Sequence, residues 1–274
     1  MAPQSAARAR SERIESRDNR WLKRFRTALE VRPEKDGAPI GIEGPRLVDE
    51  ALRSGLSPEA ILVSDSGDRH LSRLHEHLTS RVKVLRTSDR LFASVAGTES
   101  PQGIAALVEP PHWRLSDLLG AAALVVVLAG VQDPGNVGTI VRAAEAFGAS
   151  GVFACLGSAH PFSPKAVRAS AGSVFRLPTL AGQQPRDVQA ELRGRGVPQF
   201  AAVASEGQTP AEFDLARPCA LWIGSEGSGL PEEVIRGADS SIRIPLRAHV
   251  DSLNAGIAAA VLLYEAARQR GRLI

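Results

Sequence analysis

Three short stretches hold the residues best suited to chemistry. The first is Asp133-Pro134-Gly135-Asn136-Val137-Gly138-Thr139-Ile140-Val141-Arg142, which follows an apolar run and opens a helical pattern. The spacing puts Asn136 on the loop and Arg142 about a turn into the helix. A guanidinium there can grip a phosphate or carboxylate through two parallel N–H bonds, although a strand–turn–helix with a surface arginine is the plainer reading. The second stretch, Gly224-Ser225-Glu226-Gly227-Ser228-Gly229, has three glycines in six residues, which lets backbone approach a ligand closely. Glu226 stands just before a short helix opened by Leu230 and Pro231, where a carboxylate also stabilises a helix start. The third is Asp251-Ser252-Leu253-Asn254. Ser252 fits an N-cap and starts the last helix, which leaves Asn254 in a first turn, where a weak helix former needs another reason to be. These loops offer an amide, a hydroxyl, a carboxylate and a guanidinium but no metal cluster, so the chemistry they imply runs through a bound organic cofactor.

Other chemistries fit poorly. The first loop lacks G-x-G-x-x-G spacing, and Cys155-Leu156-Gly157 stands where a dinucleotide fold needs a ribose-binding acid. It also lacks the lysine of a phosphate-cradling G-x-x-x-x-G-K-[ST] loop. Ser252, His249 and Asp251 share one four-residue stretch, whereas a hydrolytic triad converges from separate elements.

The elements that must position these loops alternate strand and helix. Residues 124–129, 151–155, 199–204, 220–223 and 241–244 read as strands. Helices are expected over 139–147, 164–171, 188–195 and from 252 to the chain end, with 174–177 short and extended. Such alternation argues for a mainly parallel sheet. On the last helix, Leu253, Ile257, Ala260, Val261 and Tyr264 form an apolar face suited to the core or to a dimer interface. Upstream, strands at 40–42, 60–64, 82–85 and 104–108 and helices at 44–54, 71–78 and 88–94 make a smaller α/β/α unit. The expected division is a basic arm and helix over 1–37 (the helix near 14–29), a small domain over 38–110, a linker over 111–120 and a second α/β domain over 121–274.

Composition narrows the class. The chain has 274 residues, 43% hydrophobic and 23% charged, as in a soluble globular protein. Cys155 and Cys219 lie in apolar runs without zinc spacing, which reads as buried thiols in a reducing cytoplasm. No signal-peptide core is visible in the charged N-terminus, and the longest apolar run, 118–131, is too short to span a bilayer. The net charge is only +3, yet residues 1–36 contain ten basic and six acidic side chains. That imbalance suits a polyanionic partner or a solvated terminus.

Taken together, the segments NVGTIVRAAEAFGA, LWIGSEGSGLP and IPLRAHVDSLNAGIAAAVLLYEA, in this order, resemble the SpoU/TrmH branch of the SPOUT RNA methyltransferases. VRASAGSVFRLP is similar too, and IEGPRLVDEAL and TESPQGIAALVEP resemble the substrate-binding domain that precedes the catalytic one in many members. The resemblance implies an α/β catalytic domain with a C-terminal trefoil knot, S-adenosyl-L-methionine held in that knot, a homodimer, and methylation of a ribose 2′-hydroxyl in RNA. It assigns the active site to Asn136, Arg142, Glu226, Ser252 and Asn254, and the cofactor lining to Gly224, Ile244, Leu246 and Leu253. Ala255-Gly256 replaces the more usual Val-Ser, and Asp251 the commoner Glu. By analogy the extra N-terminal domain favours rRNA over tRNA. A non-catalytic RNA-binding protein is the rival class, and the intact polar set argues against it.

Overall fold

The computed structural model describes residues 11–31, 37–74 and 82–271. They form two compact units, one within Met1–His112 with Phe162–Pro164 and the other within Trp113–Pro161 and Lys165–Ile274.

The first unit is a mixed five-stranded sheet in the order β1-β4-β3-β5-β2, made of β1 (Ser11–Arg13), β2 (Ile40–Glu43), β3 (Pro58–Ser64), β4 (Lys83–Thr87) and β5 (Ile104–Val108). Helices α1 (Arg20–Glu30), α2 (Pro45–Arg53), α3 (Asp68–Leu74) and α4 (Asp89–Ala93) complete it. The described part of the expected basic arm, residues 11–31, is not separate. β1 pairs parallel with β4, and α1 buries Trp21, Leu22, Phe25, Ala28 and Leu29 against Leu62, Leu85 and Leu107. A fully buried large apolar side chain is worth roughly 1.5–3 kcal/mol. Leu22 and Phe25 therefore hold α1 more firmly than exposed ion pairs of about 0.2–1 kcal/mol could. Gly41 on β2 is where α1 comes closest, since a Cβ there would stand 2.6 Å from the Ala28 carbonyl carbon. The helix starts at Arg20 rather than near Ile14 because the Asn19 side chain caps it, accepting from Trp21 N at 2.8 Å. Part of the arm's charge is spent internally. Arg24 grips Glu59 with both terminal nitrogens at 2.6 Å, which holds the Glu59 carboxyl below its usual range, and Arg13 pairs with Asp65. The expected helix over 71–78 starts earlier, at Asp68, and its second half lies outside the described residues.

The second unit is an all-parallel six-stranded sheet in the order β11-β9-β10-β6-β7-β8. Its strands are β6 (Leu124–Leu128), β7 (Gly151–Ala154), β8 (Thr179–Ala181), β9 (Gln199–Val203), β10 (Cys219–Ile223) and β11 (Ser240–Arg243). One face carries Val125, Val127, Ala220 and Trp222 against α5 (Leu115–Leu118), α8 (Pro185–Gly194) and α9 (Glu232–Gly237). On the other face α6 (Pro134–Ala146) packs on α10 (Ala255–Gln269), with α7 (Pro164–Ala169) beside α6. The expected linker folds into this unit. Leu118 and Leu119 are core residues, and α5 sits so close to β7 that a Cβ on Gly151 would lie 2.4 Å from Leu118 Cγ. Residues 174–177, expected to be extended, instead begin in a 3-10 turn over Ser173–Phe175. Gly172 opens that turn at φ +92°, in the left-handed region, and the strand follows at Thr179. β6 and β10 are neighbours from which the chain departs in opposite directions, so the carboxyl ends of β9, β10 and β6 bound the crevice where such sheets bind ligands. This strand order, with α10 returning to α6 after β11, is consistent with a trefoil-knotted methyltransferase domain.

Candidate active site

Helix α6 begins earlier than the glycines of its first turn suggest. Asp133 caps it, accepting from Gly135 N at 3.1 Å, and Pro134 takes the first helical position. Asn136 is therefore in the first helical turn and not on a loop, and Arg142 lies almost two turns further on. Lys165 Nζ approaches Asp133 Oδ1 to 2.5 Å, and this contact, ahead of the Gly135 N–H, keeps the Asp133 carboxyl below its usual range.

The last helix starts later than expected. Ser252 is not its cap. Asn254 is, with Oδ1 accepting from Gly256 N at 2.9 Å and Ile257 N at 3.3 Å. The other half of the same amide explains the choice, because Asn254 Nδ2 donates to Asn136 Oδ1 at 3.0 Å. Asn136 Nδ2 in turn donates to Glu226 Oε1. A hydrogen-bonded series, Asn254 to Asn136 to Glu226, thus ties the starts of α10 and α6 to the loop after β10. Both Asn136 and Asn254 have a donor and an acceptor engaged, which sets the orientation of each amide.

The β10 loop is stiffened by its own backbone. Ser225 N and Gly229 O are 3.0 Å apart, Gly229 N and Ser225 O 3.1 Å, and Ser228 N donates to Ser225 Oγ. A Cβ on Gly224 would stand 2.2 Å from the Gly229 carbonyl carbon. Glycine at 224 is thus required by closure of the loop as well as by any ligand. A valine there would disturb the loop itself.

Beside the polar series lies a cavity of about 500 Å³. It is lined by residues 202–205 at the end of β9 and beyond, by 223–230 at the end of β10 and beyond, and by Ile242, Ile244, Leu246 and Asp251–Leu253 around and after β11. Gly224, Ile244, Leu246 and Leu253 all contribute, as do Glu226 and Ser252. Apolar walls with a few hydroxyls and carboxylates and much exposed backbone suit a flat heterocycle carrying a polar tail. The end of β9 escaped notice in the sequence, where Ala204-Ser205 has no side chain to mark it. Being one of three adjacent parallel strand ends was its only signal. Arg142 joins neither the polar series nor the cavity lining. It is exposed, with no bonded partner among the described residues. Of the two readings left open for the apolar face of α10, core or dimer interface, the core one does not hold. Ala255, Ala259, Leu262, Leu263, Ala266 and Ala267 face the core, while Ile257, Val261 and Tyr264 are 54%, 39% and 49% exposed.

Comparison with known proteins matches residues 123–264 to the SpoU rRNA Methylase family and residues 34–106 to the MRM3-like substrate binding domain. The 23S rRNA (guanosine(2553)-2′-O)-methyltransferase RlmP of Bacillus subtilis is 32% identical over 92% of this chain and 98% of its own. The SpoU methyltransferase AviRb from Streptomyces viridochromogenes, solved in complex with the cofactor AdoMet, superposes with a TM-score of 0.82 at 28% identity, over 92% of this chain and 98% of that one. An AdoMet-bound rRNA methyltransferase from Sinorhizobium meliloti gives 0.80 at 29%, over 94% and 98%.

Proposed function

The chain belongs to the SpoU rRNA methylase family, and from that premise we propose that it methylates a ribose 2′-hydroxyl of 23S-type ribosomal RNA. It is an S-adenosylmethionine-dependent RNA 2′-O-ribose methyltransferase. The rRNA assignment is supported by the 23S rRNA activity of the B. subtilis relative, which this chain matches almost end to end. The observation that carries the site assignment is the Asn254–Asn136–Glu226 series at the rim of the cavity. No helix among the described residues is long and apolar enough to cross a membrane, and two buried free thiols suit the reducing cytoplasm.

S-adenosylmethionine supplies, when bound, a methyl group already activated on a sulfonium. Ile244, Leu246, Leu253 and the backbone from Gly224 to Gly229 would hold it. The protein's remaining task is to align a weakly acidic hydroxyl and stabilise the charge it develops. A guanidinium stays protonated, so Arg142 is not the base. Arg142 grips the substrate phosphate and steadies the incipient alkoxide, while Asn136, Ser252 and Asn254 orient the hydroxyl. Glu226 holds Asn136 in place, and a substrate phosphate or water accepts the proton. The MRM3-like unit binds RNA. Ile257, Val261 and Tyr264, with Phe147 edge-on to Tyr264 at 5.9 Å, form the face on which a second copy docks.

The test is methyl transfer from labelled S-adenosylmethionine to protein-free 23S rRNA and to bulk tRNA, with nucleoside mass spectrometry of the product. The expected product is a 2′-O-methylated nucleoside from the rRNA alone. Arg142→Ala should lower the rate about 10²–10³-fold, as for a lost preorganised donor, with cofactor affinity unchanged. A methylated base would overturn the reaction, and methylation confined to tRNA would overturn the substrate.

A further inference from the structure

The second unit commits most of its cations. Lys165 pairs with Asp133, Arg176 with Glu145, Arg195 with Glu191, Arg217 with Asp214, Arg236 with Glu232 and Arg268 with Glu265. Arg186 lies 3.5 Å from Asp187, Arg193 and Arg243 donate to backbone carbonyls, and so does Arg270. Arg114, Arg142, Arg168 and Arg247 have no bonded side-chain partner among the described residues. Of these four, Arg142 lies on α6, the helix that carries Asn136, Arg168 on α7 beside it, and Arg247 next to Leu246 of the cavity wall.

Arg168 is absent from the roles assigned above, and the packing fixes where it stands. Three contacts set α7 and the turn after it alongside α6, running in the same direction. Lys165 meets Asp133 at the start of α6. At its middle a Cβ on Gly138 would lie 2.2 Å from Ala166 O, 2.7 Å from Ala169 Cβ and 2.9 Å from Ser170 N. Near its end Arg176 grips Glu145 with Nε at 2.6 Å and Nη2 at 2.9 Å. Ala166, Val167 and Ser170 are buried by this packing, which leaves Arg168 on the solvent side of α7, level with the middle of α6. Arg142 is one helical turn beyond Gly138 on α6, at nearly the same angle around the helix axis. Two exposed guanidiniums on adjacent, tightly packed helices, neither paired with a carboxylate among the described residues, leave positive charge on this surface that suits a polyanion.

We infer that Arg168 contacts the RNA backbone, taking a phosphate next to the one assigned to Arg142. This rests on the methyltransferase reading above and adds a binding residue to it. Glycine at 138 is the enabling feature, because any side chain there would push α7, and Arg168 with it, away from α6. Lys165 is not a second candidate, since Asp133 already occupies its ammonium.

The test uses the full-length protein carrying Arg168→Gln. Binding of a fluorescein-labelled single-stranded RNA oligonucleotide is followed by anisotropy over a series of salt concentrations. Affinity should fall about tenfold, the loss expected for one charge-assisted contact. The slope of log K against log salt should become shallower by about 0.7, which is one phosphate on a single strand. In methyl transfer to a 23S rRNA transcript, KM for RNA should rise while kcat at saturating RNA stays within about twofold, because the contact is made equally in ground and transition states. Calorimetric affinity for S-adenosylmethionine and the melting temperature should not move. Arg168→Lys should keep the salt slope, since an ammonium retains the charge, and lose part of the affinity with the fork. Arg195→Ala, which removes a cation already paired with Glu191, should leave the slope as it was. An unchanged slope in Arg168→Gln, or an equal change in Arg195→Ala, overturns the assignment. If the wild-type protein transfers no methyl group to rRNA, the substrate reading fails while the anisotropy slope still decides Arg168. If it methylates ribose and Arg168→Gln binds normally, the activity stands and this contact falls.

Discussion

Asn254 does two jobs with one amide, and substitution can separate them. Its Oδ1 caps α10 through Gly256 N and Ile257 N, and its Nδ2 reaches Asn136 Oδ1. An N-cap is worth about 1 kcal/mol, and a partly solvated amide–amide bond about 0.5–1 kcal/mol. Asn254→Ala loses both, for about 2 kcal/mol. Asn254→Ser keeps a capping oxygen and loses only the link, for about 0.5–1 kcal/mol. Asn254→Asp also caps, but it brings acceptor oxygens up to Asn136 Oδ1 and adds a negative charge near Glu226. In a unit of this size each kcal/mol shifts the melting temperature by roughly 2–4 °C. Calorimetry should therefore rank wild type above serine and serine above alanine, with alanine about 4–8 °C down. Methyl transfer should follow a different order, with all three variants falling well below wild type, because alanine and ionised aspartate have no donor for Asn136 and the serine hydroxyl, one bond shorter than the amide, does not reach it. Serine is the decisive variant. If Asn254→Ser restores both melting temperature and methyl transfer, the amide link is dispensable and Asn254 is a helix cap only.

Four further outcomes follow from the same geometry. Burial pushes the Cys155 thiol up to about 12 and the Cys219 thiol to about 11, so neither should react with a disulfide reagent at pH 8 until the chain is unfolded, and rapid labelling of the native protein would contradict their burial. Asp133 has a depressed carboxyl in the folded chain, so its stabilisation of α6 is complete above the unfolded value near pH 4 and disappears as the pH falls through the lowered value; an NMR titration of Asp133 at or above the ordinary aspartate range would refute the Lys165 contact as its cause. Arg270→Ala should cost about 2 kcal/mol, because the guanidinium donates to the carbonyls of Leu215, Ala122 and Ala123 and so fastens the end of α10 to the segments before β10 and β6; unaltered denaturant stability would show those bonds to be idle. Val261→Glu, on a side chain 39% exposed in the single chain, should leave the fold intact and turn a sedimenting dimer into a monomer, and a wild-type monomer at micromolar concentration would remove the α10 face as a dimer interface.

Much of this protein is legible from local pattern alone. Valine-rich runs and glycine-punctuated turns mark the strands of the second unit, because a parallel strand buried on both faces has to be apolar throughout. Asp133-Pro134 carried a helix-start signal that outranks the glycines after it, and reading those glycines as loop placed Asn136 outside α6. Three motifs in order carry the family resemblance, and the chemistry comes with that resemblance rather than from any one of them.

What the sequence could not decide depends on contacts between distant segments. Ser252 and Asn254 are both competent caps. Only the arrival of Asn136, 118 residues away, selects Asn254. The basic arm reads as a tail because charge is visible in sequence and a docking face is not; Gly41 beneath Ala28 and the buried Phe25 make α1 part of the first unit. The apolar positions of α10 suit a core or a dimer face equally well in sequence; in the folded chain small residues lie on the buried side and Ile257, Val261 and Tyr264 are exposed. Helical periodicity reports which residues share a face. Which face is covered depends on how closely α6 approaches, and Gly256 against Thr139, with a Cβ-to-Cγ2 approach of 3.1 Å, shows that approach to be close. Side-chain identity is local information, whereas capping choice, burial and the pairing of charges are set by segments that meet only when the chain is folded.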